Sequence, residues 1–133
     1  MRRILALFTG LLAISATQAA SLQDFELNKL LNNVARQSSV GTPRAINEDI
    51  LDQGYTVEGS QLINHLSVRP AHAAEMRSNP DLVRNQLRAS VCQNQGYRQL
   101  LAKGAELTYV FSEVKTNRPV ATERFQASDC AAK

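Results

Sequence analysis

The chain has 133 residues, of which 44% are hydrophobic, 5% aromatic and 20% charged, with two Cys and no Trp. That length supports one domain rather than two, and the charge content is too ordinary for a disordered polymer. Its formal charge is +3, a value that depends on whether the first twenty residues belong to the working protein.

Residues 1–19 read as a secretory signal peptide. Arg2 and Arg3 form a positive start, Ile4 to Ile14 is an apolar run of eleven positions broken by Thr9 and Gly10, and small or polar residues follow. Thr17 at −3 and Ala19 at −1 place cleavage after Ala19. The run is shorter than the roughly 20 residues that a membrane span needs, and no Cys lies near the cleavage point to carry a lipid. The expectation is an exported protein, periplasmic or secreted, with a single domain over residues 20–133 and no stable span. Without Arg2 and Arg3 the chain carries 13 Lys+Arg against 12 Asp+Glu. So near-neutral a protein, outside the cytoplasm, has no electrostatic case for a nucleic-acid partner.

Cys92 and Cys130 are an even pair in an oxidising compartment, which predicts a disulfide. The bond would close a loop of 38 positions, for which chain entropy gives about 4 kcal/mol. A redox pair would place its two Cys much closer together, as in Cys-x-x-Cys.

Along the exported chain, Leu22, Phe25, Leu30, Leu31, Val34 and Ala35 fall on one helical stripe over residues 22–37, with Ser21 as cap and Asp24 three positions on. Ser38 to Pro43 stops that helix. From 44 to 68 the period shifts toward two. Leu51, Gln53, Tyr55 and Val57 share one parity, and so do Leu62, Asn64, Leu66 and Val68, around a turn at Glu58-Gly59-Ser60. Glu48, Asp49 and Asp52 predict that the first arm begins exposed or bent.

Residues 71–77 read as a polar, Ala-rich connection after Pro70. Asn79-Pro80-Asp81 starts a helix carrying Leu82, Val83, Leu87 and Val91, with Asn79 as the cap. Asn94-Gln95-Gly96 interrupts it, and a further helical turn with Leu100 and Leu101 inward stops at Gly104. A second hairpin pairs Leu107, Tyr109 and Phe111 with residues 120–127 across a turn at 116–119, and Phe125 predicts that Ala121, Glu123 and Phe125 face the core. The expected fold is α+β: an N-terminal helix, then an antiparallel four-stranded sheet of two hairpins, side by side or with one inserted, with the intervening helices on one face and one disulfide.

Little in this chain carries chemistry. His65 and His72 are the only histidines, and with both Cys paired too few ligands remain for zinc, so neither metal nor other cofactor is expected. There is no Gly-x-Ser-x-Gly and no phosphate-cradling glycine loop. Acids such as Asp49, Asp52 and Asp129 would have to converge for a hydrolase. Arg77, Arg84 and Arg88, spaced by seven and four, would line one helix face that Arg98 extends. This is a candidate interaction face for an acidic partner or a phospholipid head group, or else a solvated stripe with Asp81 pairing Arg84.

Residues 90–104, Ser-Val-Cys-Gln-Asn-Gln-Gly-Tyr-Arg-Gln-Leu-Leu-Ala-Lys-Gly, together with Leu107-Thr108-Tyr109-Val110-Phe111 and the closing Ser128-Asp129-Cys130, resemble the quorum-sensing-regulated virulence factor family of pseudomonads and related gammaproteobacteria. The likeness covers roughly Pro43 to Cys130. It implies a compact exported α+β fold with one disulfide and carries no catalytic residues with it. The function expected is a small non-catalytic binding or accessory protein with a protein or envelope partner. The alternatives are an inhibitor of a hydrolase, a secretion accessory or chaperone, and more remotely a hydrolase.

Overall fold

A computed structural model of the chain describes residues 11–131. Its elements run α1 (Leu11–Ser38), β1 (Arg44–Ala45), β2 (Ile50–Glu58), β3 (Gln61–Val68), α2 (Pro70–Ser78), α3 (Pro80–Gln93), α4 (Gln95–Ala102), β4 (Glu106–Glu113), β5 (Pro119–Phe125) and a 3-10 turn, Ala127–Cys130. The first ten residues of the expected leader lie outside the described residues. The helix expected over 22–37 is the C-terminal part of α1, and Ser21 sits inside that helix rather than capping it.

The sheet has five strands in the order β1-β2-β3-β4-β5. Neighbours are antiparallel except β3 and β4, which run parallel from Gln61↔Glu106 to Val68↔Glu113. This corrects the expected four-stranded antiparallel sheet on two points. A two-residue strand is added at one edge, and the hairpins meet side by side through a parallel pair. Three helices separate β3 from β4, and a crossover of that length returns the chain to the same end of the sheet, where a parallel neighbour is the natural outcome.

The first of those helices was expected to be a connection. Ala71, Ala73 and Ala74 are strong helix formers, Pro70 fits the first helical position, and Ala73 and Met76 are buried, so α2 forms. Asn79 occupies the junction as expected, but its side-chain amide donates to the Glu75 carbonyl at 3.0 Å, closing α2 instead of capping α3. Asn94 does cap α4, accepting from the Tyr97 amide at 3.0 Å. Gly104 ends α4 with φ +102°. The Ala105 amide then bonds the Leu100 carbonyl and the Gly104 amide bonds that of Leu101, a paired closure that needs the left-handed residue.

All four helices cover one face of the sheet. Leu27, Leu31 and Ala35 of α1 pack with Val91, Leu100 and Leu101 on Leu62, Leu107 and Phe125. Ala73 and Met76 of α2 pack on Leu66, Val68 and Phe111. Phe125 is fully buried, as its alternation predicts. On β2 the expected parity fails at a bulge, where the register shifts between Asp52 and Gly54. Tyr55 and Val57 face the helices, whereas Leu51 and Gln53 face the other side. Gly54 adopts φ +107°, and a Cβ there would come within 3.0 Å of Thr42 Oγ1, so the bulge requires glycine. Among the described residues the opposite face carries no helix. Its polar side chains pair across strands, Gln53 with Ser67 at 3.0 Å and Thr56 with His65 Nε2 at 2.7 Å.

Candidate functional site

The four arginines marked by spacing do not form one stripe, because the Asn79-Pro80 break puts Arg77 on α2 and Arg84 and Arg88 on α3. Arg77 and Arg84 instead turn toward the outer edge of β5. Arg77 donates to Glu113 at 2.7 Å and to the Pro119 carbonyl at 2.7 Å. Arg84 donates to Glu123 at 2.9 Å, to the Arg124 carbonyl at 3.2 Å and to Asp129 at 3.2 Å, and lies 4.5 Å from the Phe125 ring centroid. The expected Arg84–Asp81 pair is replaced by these longer-range partners. Arg88 is exposed and bonds Asn85, and Arg98 donates to the Cys92 carbonyl at 3.1 Å. An edge strand left bare invites pairing with another chain. Here two guanidinium forks occupy its carbonyls and tie helices to strands.

Glu113 is 7% exposed in its side chain. The Arg77 hydrogen bond holds its carboxyl below the usual carboxylate range against the opposing effect of burial, with Arg118 helping. Cys92 and Cys130 are disulfide-bonded with Cα atoms 5.3 Å apart. That bond fastens the 3-10 turn to the end of α3, beside the Arg84–Asp129 bridge.

A second polar cluster lies inside the helix-covered face and was not anticipated. Asp52 is buried, accepting from the Gly54 amide at 2.9 Å and the Asn64 amide at 3.0 Å, with Arg44 of β1 3.7 Å away. All three tyrosines gather next to Asn64 around a narrow internal gap. Tyr55 and Tyr97 share a hydrogen bond at 3.4 Å. Burial, and for Tyr55 that hydrogen bond as well, pushes the Tyr55 and Tyr109 phenols well above the ordinary tyrosine value. Asp52 and Asn64 bond each other and Gly54, and the half-buried Tyr55 and Tyr97 hydroxyls pair with each other. The acids a hydrolase would need are dispersed, Asp52 in β2 and Asp129 beyond β5, while Asp49 faces His72 at 3.9 Å. Among the described residues no group of three or more His, Cys, Asp or Glu could hold a metal ion, and no helix is long and apolar enough to cross a membrane.

Two surface grooves border α1, while exposed apolar side chains stand on it at Leu22 and Phe25 and beyond it at Val40, Ile46 and Leu82. A groove of about 790 Å³ runs between Leu22, Leu27 and Leu30 of α1 and Ala102 and Lys103 at the end of α4. Another, of about 630 Å³, lies between Arg36, Val40 and the outer side of β2. Leu22 and Phe25, one turn apart, are 60% and 63% exposed. Adjacent apolar side chains left in water beside a groove are the usual mark of a surface that meets something.

The family model for "Putative quorum-sensing-regulated virulence factor" matches residues 20–131. The chain belongs to this family. A solved member, described as a "putative secreted protein" of Pseudomonas aeruginosa, is 74% identical, covers 83% of this chain and 97% of its own, and superposes with a TM-score of 0.81. The fold is also shared with two pilotins of the type II secretion system. The Vibrio vulnificus one has 13% identity, a TM-score of 0.72 and coverage of 85% of this chain and 99% of its own. The Vibrio cholerae one has 17% identity, a TM-score of 0.67 and coverage of 84% and 99%. At those identities the likeness is one of fold. Among curated proteins none matches the chain.

Within the family fold, sequence spacing marked Arg77 and Arg84, whose partners lie 36 to 45 positions away along the chain, so a local pattern could not reveal them. It passed over the α1 groove because Leu22 and Leu30 read as part of the buried stripe, from which Leu27 is absent. The signal that separates them is that the apolar stripe of α1 is too wide for one contact, since Phe25 lies outside the arc of Leu27, Leu31 and Ala35.

Proposed function

We propose that this protein is a non-catalytic docking protein of the bacterial envelope, exported after cleavage at Ala19, that works by holding a protein partner. The observation that carries this reading is the grooved outer surface of α1, where Leu22 and Phe25 stand exposed. Buried Asp52 and Asn64, by contrast, are bonded to each other and to Gly54. The fold shared with two type II secretion pilotins supports the accessory form of the reading, in which the protein assists a secretion or envelope assembly rather than acting on a substrate.

The test is capture from solubilised envelope by immobilised purified protein, with and without Leu22→Asp. Saturable retention of one partner, lost in the variant, is the expected result. Retention that never saturates, or that is indifferent to every surface substitution, would contradict a docking role.

A further inference from the structure

The α1 groove does not end at α4. Ala102, which walls it on one side, also walls a second depression of about 250 Å³ bounded by Arg98, Leu101, Ala127 and Cys130. The two depressions adjoin at Ala102, and taken together as one candidate trough they reach from the flank of α1 to the disulfide-anchored turn. Its sides are apolar along Leu22, Leu27, Leu30, Leu101 and Ala102, and its two cations are Lys103 and Arg98. Among the described residues neither cation has a carboxylate within salt-bridge distance, and Glu26 is the one acid on the walls.

We propose that this trough docks an acidic amphipathic helix of the protein partner, an inference that rests on the docking role above and names what the site takes. Three properties select that occupant. The trough is open along its length, with Leu22 60% exposed, so it cannot enclose a small molecule as ligand pockets do. Its walls are two helices and a turn, which present side chains and no row of free backbone groups. An extended peptide would find no ladder there, whereas a helix satisfies its own backbone. Lys103 and Arg98, two cations against the single acid Glu26, favour glutamate or aspartate beside the partner's apolar stripe.

The experiment measures binding of the purified protein to a labelled synthetic helix of about 18 residues, with leucines at helical spacing and flanking glutamates. A twin carrying lysines in place of the glutamates and a scrambled peptide serve as controls. The glutamate helix is expected to bind best. Leu22→Asp should weaken it by about tenfold or more, the loss of one buried leucine contact. Lys103→Glu should weaken it about fivefold and strengthen the lysine twin. Leu82→Asp, at an exposed leucine on α3, should change nothing, which separates loss of the site from loss of the fold. Equal binding of the scrambled peptide, preference for the lysine twin, or indifference to Leu22→Asp would overturn the proposal. So would self-association abolished by Leu22→Asp, since the trough would then be a contact between copies. If envelope capture persists in Leu22→Asp while the peptide fails, the docking role stands and this trough is not its seat.

Discussion

The two edges of the sheet are closed by different chemistry. At β5, Arg77 and Arg84 reach across from α2 and α3 to Glu113, Glu123 and Asp129 and to two strand carbonyls, and the Cys92–Cys130 bond locks the same corner. At β2 the ties to α1 are neutral, and the ion pair at this edge is Arg44 with Asp52 at 3.7 Å. Asn28 of α1 donates to the Gly59 carbonyl at 2.7 Å, and Ser39 accepts from the Tyr55 amide at 2.8 Å. The strand β1 covers only Leu51 and Asp52. One edge is a charged, covalently braced corner. The other is a lighter seam, joined to α1 by neutral hydrogen bonds and lying under the helix that carries Leu22 and Phe25. The difference is that Arg77 and Arg84 already engage internal carboxylates at one edge, whereas the α1 side leaves Leu22 and Phe25 exposed.

That contrast can be broken most severely at the disulfide. Replacing Cys92 and Cys130 by Ala should cost about 4 kcal/mol in urea unfolding, from a loop of 38 positions. A loss below about 1 kcal/mol would show the corner to be held without it. Next comes Arg84→Ala, which strips two carboxylates of their partner and removes the contact over Phe125. We expect a loss of about 2 kcal/mol, shrinking at high salt, with Arg84→Lys restoring only part because a single ammonium cannot replace the fork. On the β2 seam, Ser39→Ala should cost about 1 kcal/mol and be indifferent to salt, as expected for one neutral hydrogen bond. A salt-dependent loss at Ser39, or a salt-independent one at Arg84, would erase the distinction between the edges.

The smallest effect is one of pH. The Glu113 carboxyl sits below its ordinary value of 4.5 because of Arg77, so in acid the unfolded chain takes up a proton before the folded one does. Its contribution is complete above about pH 4.5 and is lost as pH falls through the lowered folded value. Glu113→Gln should therefore flatten the acid limb of a melting-temperature profile below that pH and leave its shape above unchanged.

The sequence made legible what local pattern controls. The alternation ending at Phe125 pointed its partners inward, the stop at Gly104 lies where expected, and the turn at Gly59-Ser60 joins β2 to β3. What it hid was set at a distance or by a single residue. The parity of β2 breaks at Gln53 because Gly54 permits a bulge, and that bulge turns Asp52 from an exposed acid into a buried acceptor. The parallel pairing of β3 with β4 leaves no mark in either strand. Helix α2 is short and Ala-rich, and only its burial of Ala73 and Met76 distinguishes it from a connection. The trough joins Leu22 and Leu30 to Ala102 and Lys103, residues that become neighbours only when α1 and α4 pack together.

The measurement that bears most directly on the central claim is photo-crosslinking in intact cells from two positions of the same exported protein. One is Gln23, which lines the α1 trough, and the other is Arg88, exposed on α3. The account predicts a discrete protein adduct from Gln23 and none from Arg88. An adduct from Arg88 with none from Gln23 would put the working surface on the arginine side and contradict it.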